Sequence, residues 1–151
     1  MKPKLAAVGP DKFIAALADT SDHKILAVWA ADCAERALPY LEAVCPEDKR
    51  PRQAVEAARA WVRGELKMAG ARKAAFAAHS AAREASPADA CAAARAAGHA
   101  AATAHVATHA VHAATYAVKA VQAAAEPAAA ALAVTLEREW QYRHLARLNA
   151  E

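Results

Sequence analysis

Between Cys91 and Ala125 the chain runs 35 residues without a proline, and 18 of them are alanine. Alanine has the highest helix propensity because it loses no side-chain freedom in a helix, and its small methyl group lets neighbouring backbones approach closely. The rest of the chain shares this bias: 51 of 151 residues are alanine, against 24 Leu, Ile, Val and Phe together. So few bulky side chains would alone point to disorder, but the net charge is only +3 and the alanine content reverses the inference. The expectation is an all-α fold: a compact bundle of about seven closely packed helices around a thin core, forming a single helical domain over residues 1–151.

Capping and breaking residues divide the helices. Pro10-Asp11 opens a short first helix to Leu17, and Thr20-Ser21-Asp22 caps a second that runs to Val44 and is kinked or split by Pro39. Pro51 starts a third over residues 52–63, with Val55, Ala58, Val62 and Leu66 as its apolar face and Gly64 as its stop. Gly70 precedes a fourth over 71–85, and Ser86 caps a fifth that begins at Pro87, with Asp89 close to completing a capping box. One helix through to Ala125 would be unusually long. The β-branched residues in His105-Val106-Ala107-Thr108 therefore mark a break, with Thr108 capping a sixth helix over 110–124. Glu126-Pro127 starts the last, to Leu148, with Leu132, Leu136, Trp140, Leu145 and Leu148 as its apolar side. Residues 54–62 echo 110–118, which suggests a duplicated helical hairpin.

The same residues argue against several functions. Four glycines, at 9, 64, 70 and 98, build no phosphate-cradling loop, so nucleotide chemistry is not expected. Charges of both signs are interleaved and the longest basic stretch is Lys49-Arg50-Pro51-Arg52, which is no nucleic-acid footprint. Cys33, Cys45 and Cys91 lack CxxC spacing and read as reduced thiols. The basic Met1-Lys2-Pro3-Lys4-Leu5 is followed by Gly9-Pro10-Asp11 instead of an apolar run, so no secretory signal is expected. The alanine-rich stretch is too polar for a membrane span. The expected address is the cytoplasm, with no cofactor.

Two constellations carry the chemistry. His105, His109 and His112 are spaced i, i+4, i+7, which aligns them only if no break intervenes. An i, i+4 histidine pair can chelate a metal if His99, His79 or the Asp32 and Glu35 carboxylates join it. The stronger expectation is neutral imidazoles hydrogen-bonded between alanine helices. The second group is Asp32, Glu35 and Arg36, with Asp32 and Arg36 able to pair at i, i+4. Arg50 and Arg52 in the following turn, with Glu56, Arg59 and Arg63, extend it. A hairpin would bring these arginines to the end of the second helix, where bidentate carboxylate pairs can lock the two helices together. Alternatively, at a helix N-terminus, they can receive an anionic ligand or an acidic partner surface. Ser21, Ser80 and Ser86 offer no activated nucleophile. Trp29, Trp61 and Trp140 read as packing anchors, and His144, four residues after Trp140, can stack on it or bond a neighbouring helix.

Taken in order, Trp29-Ala30-Ala31-Asp32-Cys33-Ala34-Glu35-Arg36, Arg50-Pro51-Arg52, Ala57-Ala58-Arg59-Ala60-Trp61, Ala71-Arg72-Lys73 through His79, Gly98-His99 through Val106, Thr108-His109-Ala110 and Glu137-Arg138-Glu139-Trp140-Gln141 resemble the bacterial putative immunity proteins with an Imm-5-like domain. The resemblance spans residues 22–148. It implies an all-α, non-enzymatic protein that binds and neutralises a toxin or another protein partner in the cytoplasm. The polar positions that match are Asp32, Glu35, Arg36, Arg50, Arg52, His79, His99, His105, Thr108 and His109, the candidate partner- or ligand-binding residues; His112 falls outside the pattern. The rival expectation is a small-molecule or metal-binding domain in which His99, His105 and His109 converge on Asp32 and Arg36. A homodimer is also compatible with so thin a core.

Overall fold

The structure is a computed structural model that describes residues 11–151. Among them are seven α-helices and no strand: α1 (Lys12–Asp19), α2 (His23–Glu42), α3 (Arg50–Val62), α4 (Met68–Glu84), α5 (Ala88–Ala102), α6 (His109–Ala124) and α7 (Ala130–Ala150). A single 3-10 turn, Pro127–Ala129, leads into α7. The fold is all-α, as expected. The expected helix start at Pro10 and the reading of the N-terminal segment fall outside the described residues, but Asp11 caps α1 by accepting from the Phe13 and Ile14 amides at 2.9 and 3.0 Å.

Helices α2 and α5 form the centre. Each packs against α3 and α6, and they pack against one another. Helix α5 buries Ala90, Ala92, Ala93, Ala94, Ala96, Ala97, Gly98, Ala100 and Ala101, so it is enclosed on nearly every side. That is possible because its buried side chains are hydrogen or methyl, which allows four helices to approach it. Helix α2 supplies most of the bulk with Leu26, Trp29, Leu38 and Leu41. Trp29 is fully buried, and its indole N–H donates to the Gln141 carbonyl at 2.9 Å. The Gln141 amide donates in turn to the Ala114 carbonyl at 2.9 Å, which ties α2, α7 and α6 together through two satisfied buried donors.

Several boundaries differ from the sequence reading. Pro39 does not split α2: it is exposed and lies in the last turn, where it removes one ladder bond. Gly70 lies inside the first turn of α4, and a Cβ there would stand 2.5 Å from Leu66 Cδ1. The break between α5 and α6 falls over residues 103–108, as expected. Thr108 is at the N-cap of α6 but has helical φ and ψ, so its hydroxyl makes no cap bond. Ser86 is not a cap either, because Pro87 occupies that position. Gly64, at φ 76°, ends α3 as expected, its amide bonding back to the Trp61 carbonyl. The echoing stretches lie on α3 and α6, where Ala54, Ala57, Ala58 and their counterparts Ala110, Ala113 and Ala114 are all buried.

The largest correction concerns α7. Leu132 and Leu136 are 62% and 55% exposed, and the buried positions are Ala130, Glu137, Gln141 and Leu145. Burial follows hydrogen bonding here: Glu137 and Gln141 find partners on α2 and α6, and the helix turns Leu132 and Leu136 outward to let them, while Leu145 is buried and Trp140 and Leu148 pack against the core, as expected.

Candidate functional site

Most of the polar residues singled out above assemble into two separate groups. The first crosses α7, α2 and α3. Arg59 on α3 donates to Asp32 Oδ1 at 3.0 Å, to both Glu35 oxygens at 3.0 and 3.1 Å, and to Glu56 at 2.9 Å. Arg52 forks onto Glu42 at 2.7 and 3.0 Å and reaches Glu35 at 3.2 Å. On the other side of Asp32, the His144 Nε2–H donates to Oδ2 at 2.7 Å, while Arg147 donates to His144 Nδ1 at 2.6 Å. An arginine can only donate, which leaves Nδ1 as acceptor and fixes the ring proton on Nε2. The result is one chain of charge-assisted bonds: Arg147, His144, Asp32, Arg59, Glu35, Arg52, Glu42.

Arg36 forms the neighbouring rung. Its guanidinium forks onto the buried Glu137 carboxylate at 2.8 and 2.9 Å and lies 4.0 Å over the Trp140 ring, which stacks on His144 at 4.8 Å. The expected Asp32–Arg36 pair within α2 is replaced by these bonds, because Arg59 and His144 from other helices take one Asp32 oxygen each and Arg36 is committed to its fork onto Glu137. Arg50 closes the turn, forking onto Asp48 at 2.7 and 2.9 Å and reaching Glu84 on α4 at 2.6 Å. The locking of the α2–α3 hairpin by Arg52 is as expected, and so is the Trp140–His144 stack. The arginine hydrogen bonds hold Glu35, Glu42 and Asp48 below the usual carboxylate range.

The second group joins α4, α5 and α6 around His99. Its ring lies 4.9 Å from His79, 5.2 Å from His109, 5.4 Å from His112 and 5.2 Å from Tyr116, on which it stacks. The Nδ1 atoms of His99 and His109 share a hydrogen bond of 2.9 Å, so one of the two is unprotonated there. His79 Nδ1 accepts from Arg95 at 2.9 Å. Gly98 makes the packing possible, since a Cβ there would stand 2.7 Å from the His79 ring. Burial and the crowd of neighbouring imidazoles push His99 down to about 3, and burial lowers His79 and His109 as well. These are the neutral imidazoles between alanine helices that the spacing suggested. His105 precedes α6 and is exposed, as is Thr108, so the three-histidine stripe is broken.

The convergence of His99, His105 and His109 on Asp32 and Arg36 does not form: the ring and hydrogen-bond partners of His99 and His109 lie on α4, α5 and α6, whereas Asp32 and Arg36 bond to α3 and α7. Among the described residues, no group of three His, Cys, Asp or Glu side chains is arranged to hold a metal ion. All three cysteines are free, and burial raises the Cys33 thiol well above its ordinary value. No helix of the described residues is long and apolar enough to cross a membrane.

Glu137, Glu42 and Arg95 are not among the site residues expected from the sequence. For Glu137 the available signal is its register with the buried side of α7. Glu137 stands one turn before Gln141 and two before Leu145, all three buried.

A family model described as Imm-5 like putative immunity protein matches residues 16–148. No curated protein and no solved structure matches the chain.

Proposed function

Because the chain belongs to the family of Imm-5 like putative immunity proteins, we propose that it acts by binding: it occupies a protein toxin and blocks it, without turnover and without a cofactor. The family match over residues 16–148 carries this reading. The internal chemistry supports it. The carboxylates and guanidiniums that would otherwise face a substrate are consumed in pairing between helices, as in a rigid scaffold that presents a preformed surface. Arg50 and Arg52 belong to that scaffold, so their replacement should act on the α2–α3 hairpin before it acts on a partner. The cytoplasm is the address this reading gives the protein.

Co-expression with candidate toxin domains tests the reading, scoring survival of the host and recovery of a stoichiometric complex. Survival accompanied by a complex is expected. Survival without any complex, or a toxin left chemically altered, would replace blocking by an enzymatic role.

A further inference from the structure

On this protein-binding reading, we propose that the groove along the outer edge of α7 is the docking surface, and that its occupant is an acidic segment of the partner protein. The carboxylates of that segment pair with Arg143 and Arg147, and an apolar side chain of it covers Leu136.

The distribution of ion pairs carries the argument. Arg36, Arg50, Arg52, Arg59 and Arg63 each meet a carboxylate, while Arg72, Arg83 and Arg95 lie against the Phe76 ring, the Ser80 hydroxyl and the His79 imidazole. Arg143 makes no hydrogen bond or ion pair among the described residues, and Arg147 bonds only to a neutral imidazole nitrogen. Both line a groove of about 260 Å³ whose other walls are Leu136, Glu139, Trp140 and His144. Spacing of i, i+4 places the two guanidiniums one turn apart on one face, so they can meet carboxylates on a strand or helix lying along α7. Glu139 is the one acidic group in the groove and pairs with neither arginine, which leaves the surface cationic. The exposed Leu136, with Leu132 one turn further, continues the groove as an apolar shelf.

The floor of the groove is stiff. Trp140 is held by Arg36 and by the His144 stack, and Arg147 is held by His144, itself anchored on Asp32. A partner meeting these side chains therefore loses little of its binding energy to ordering them. Cations at the edge of an apolar patch accelerate the encounter with an acidic partner and disfavour a basic one.

Amide NMR on the full chain tests the surface with three probes: a short peptide of alternating glutamate and leucine, its lysine-for-glutamate counterpart, and oligo-thymidine. The expected result is shifts confined to residues 136–147 and the Trp140 indole, caused by the glutamate peptide alone. Arg143→Glu breaks no bond within the protein and should weaken that peptide about threefold to fivefold; Arg143→Glu with Arg147→Glu should weaken it about tenfold. Shifts elsewhere, equal binding of the lysine peptide, binding of oligo-thymidine to this face, or a dimer in light scattering that buries α7 would each overturn the proposal. A toxin that co-purifies undiminished with the double variant would remove this surface and leave the immunity reading standing. A chain that protects against no toxin yet binds the glutamate peptide here would do the reverse.

Discussion

The glycine at position 98 shows how one missing methyl positions a group of rings. A residue in the middle of a helix is ordinarily more stable as alanine by about 1 kcal/mol. At Gly98 the new Cβ would collide with the His79 imidazole, and moving that ring breaks its bond to Arg95. Gly98→Ala should therefore destabilise the fold by about 1 kcal/mol in urea unfolding. In a His79→Ala background the same change should stabilise it, and a cycle that closes additively would refute this account. The imidazoles make a second prediction. A histidine whose folded value is lowered favours the neutral form, so its contribution to stability is complete above the ordinary value of 6.5 and is lost as pH falls below it. Glu35, Glu42 and Asp48, also lowered, are lost only at more acidic pH, as each falls through its own depressed value. The urea midpoint should begin to fall near pH 6.5, before carboxylates protonate, and His99→Gln should remove part of that early decline.

Helix by helix, the sequence was most readable where backbone geometry alone decided the outcome. The α5–α6 break followed from β-branched residues in a chain of alanine, and the end of α3 from a glycine that must reach positive φ. In α7 the leucine pattern marks the inside correctly at Leu145 and Leu148 but not at Leu132 and Leu136. Its buried side instead follows Glu137 and Gln141, whose partners lie on other helices and are invisible in local spacing. The same holds for Asp32 and Arg36, whose local pairing looked sufficient until partners from α3 and α7 were in place. The Arg36–Glu137 rung predicts an asymmetry. Arg36→Met leaves a buried carboxylate without its fork and should cost about 2 kcal/mol at neutral pH. Arg36→Met with Glu137→Leu should recover most of that loss, because no charge then remains buried.

The centre of the molecule, around α5, is built from contacts one methyl deep. Alanines that are fully buried on both sides of α5 leave no room for growth. Ala97→Leu should destabilise by about 1–3 kcal/mol in thermal or chemical unfolding, whereas Ala131→Leu on exposed α7 should change little. A stable, unchanged Ala97→Leu protein would mean that the interior is far looser than described.

An interior made largely of identical small knobs has a further consequence. Where such knobs meet, sliding one helix along another by a single turn, about 5.4 Å, brings one alanine where another was, so only the few bulky side chains such as Trp29 and Val55 resist it. The same slide carries Arg59 out of reach of Asp32 and Glu35, and Arg52 out of reach of Glu42. The charged rim thus works as the notches of a ratchet: it contributes modestly to how firmly the helices hold, and decisively to which turn meets which.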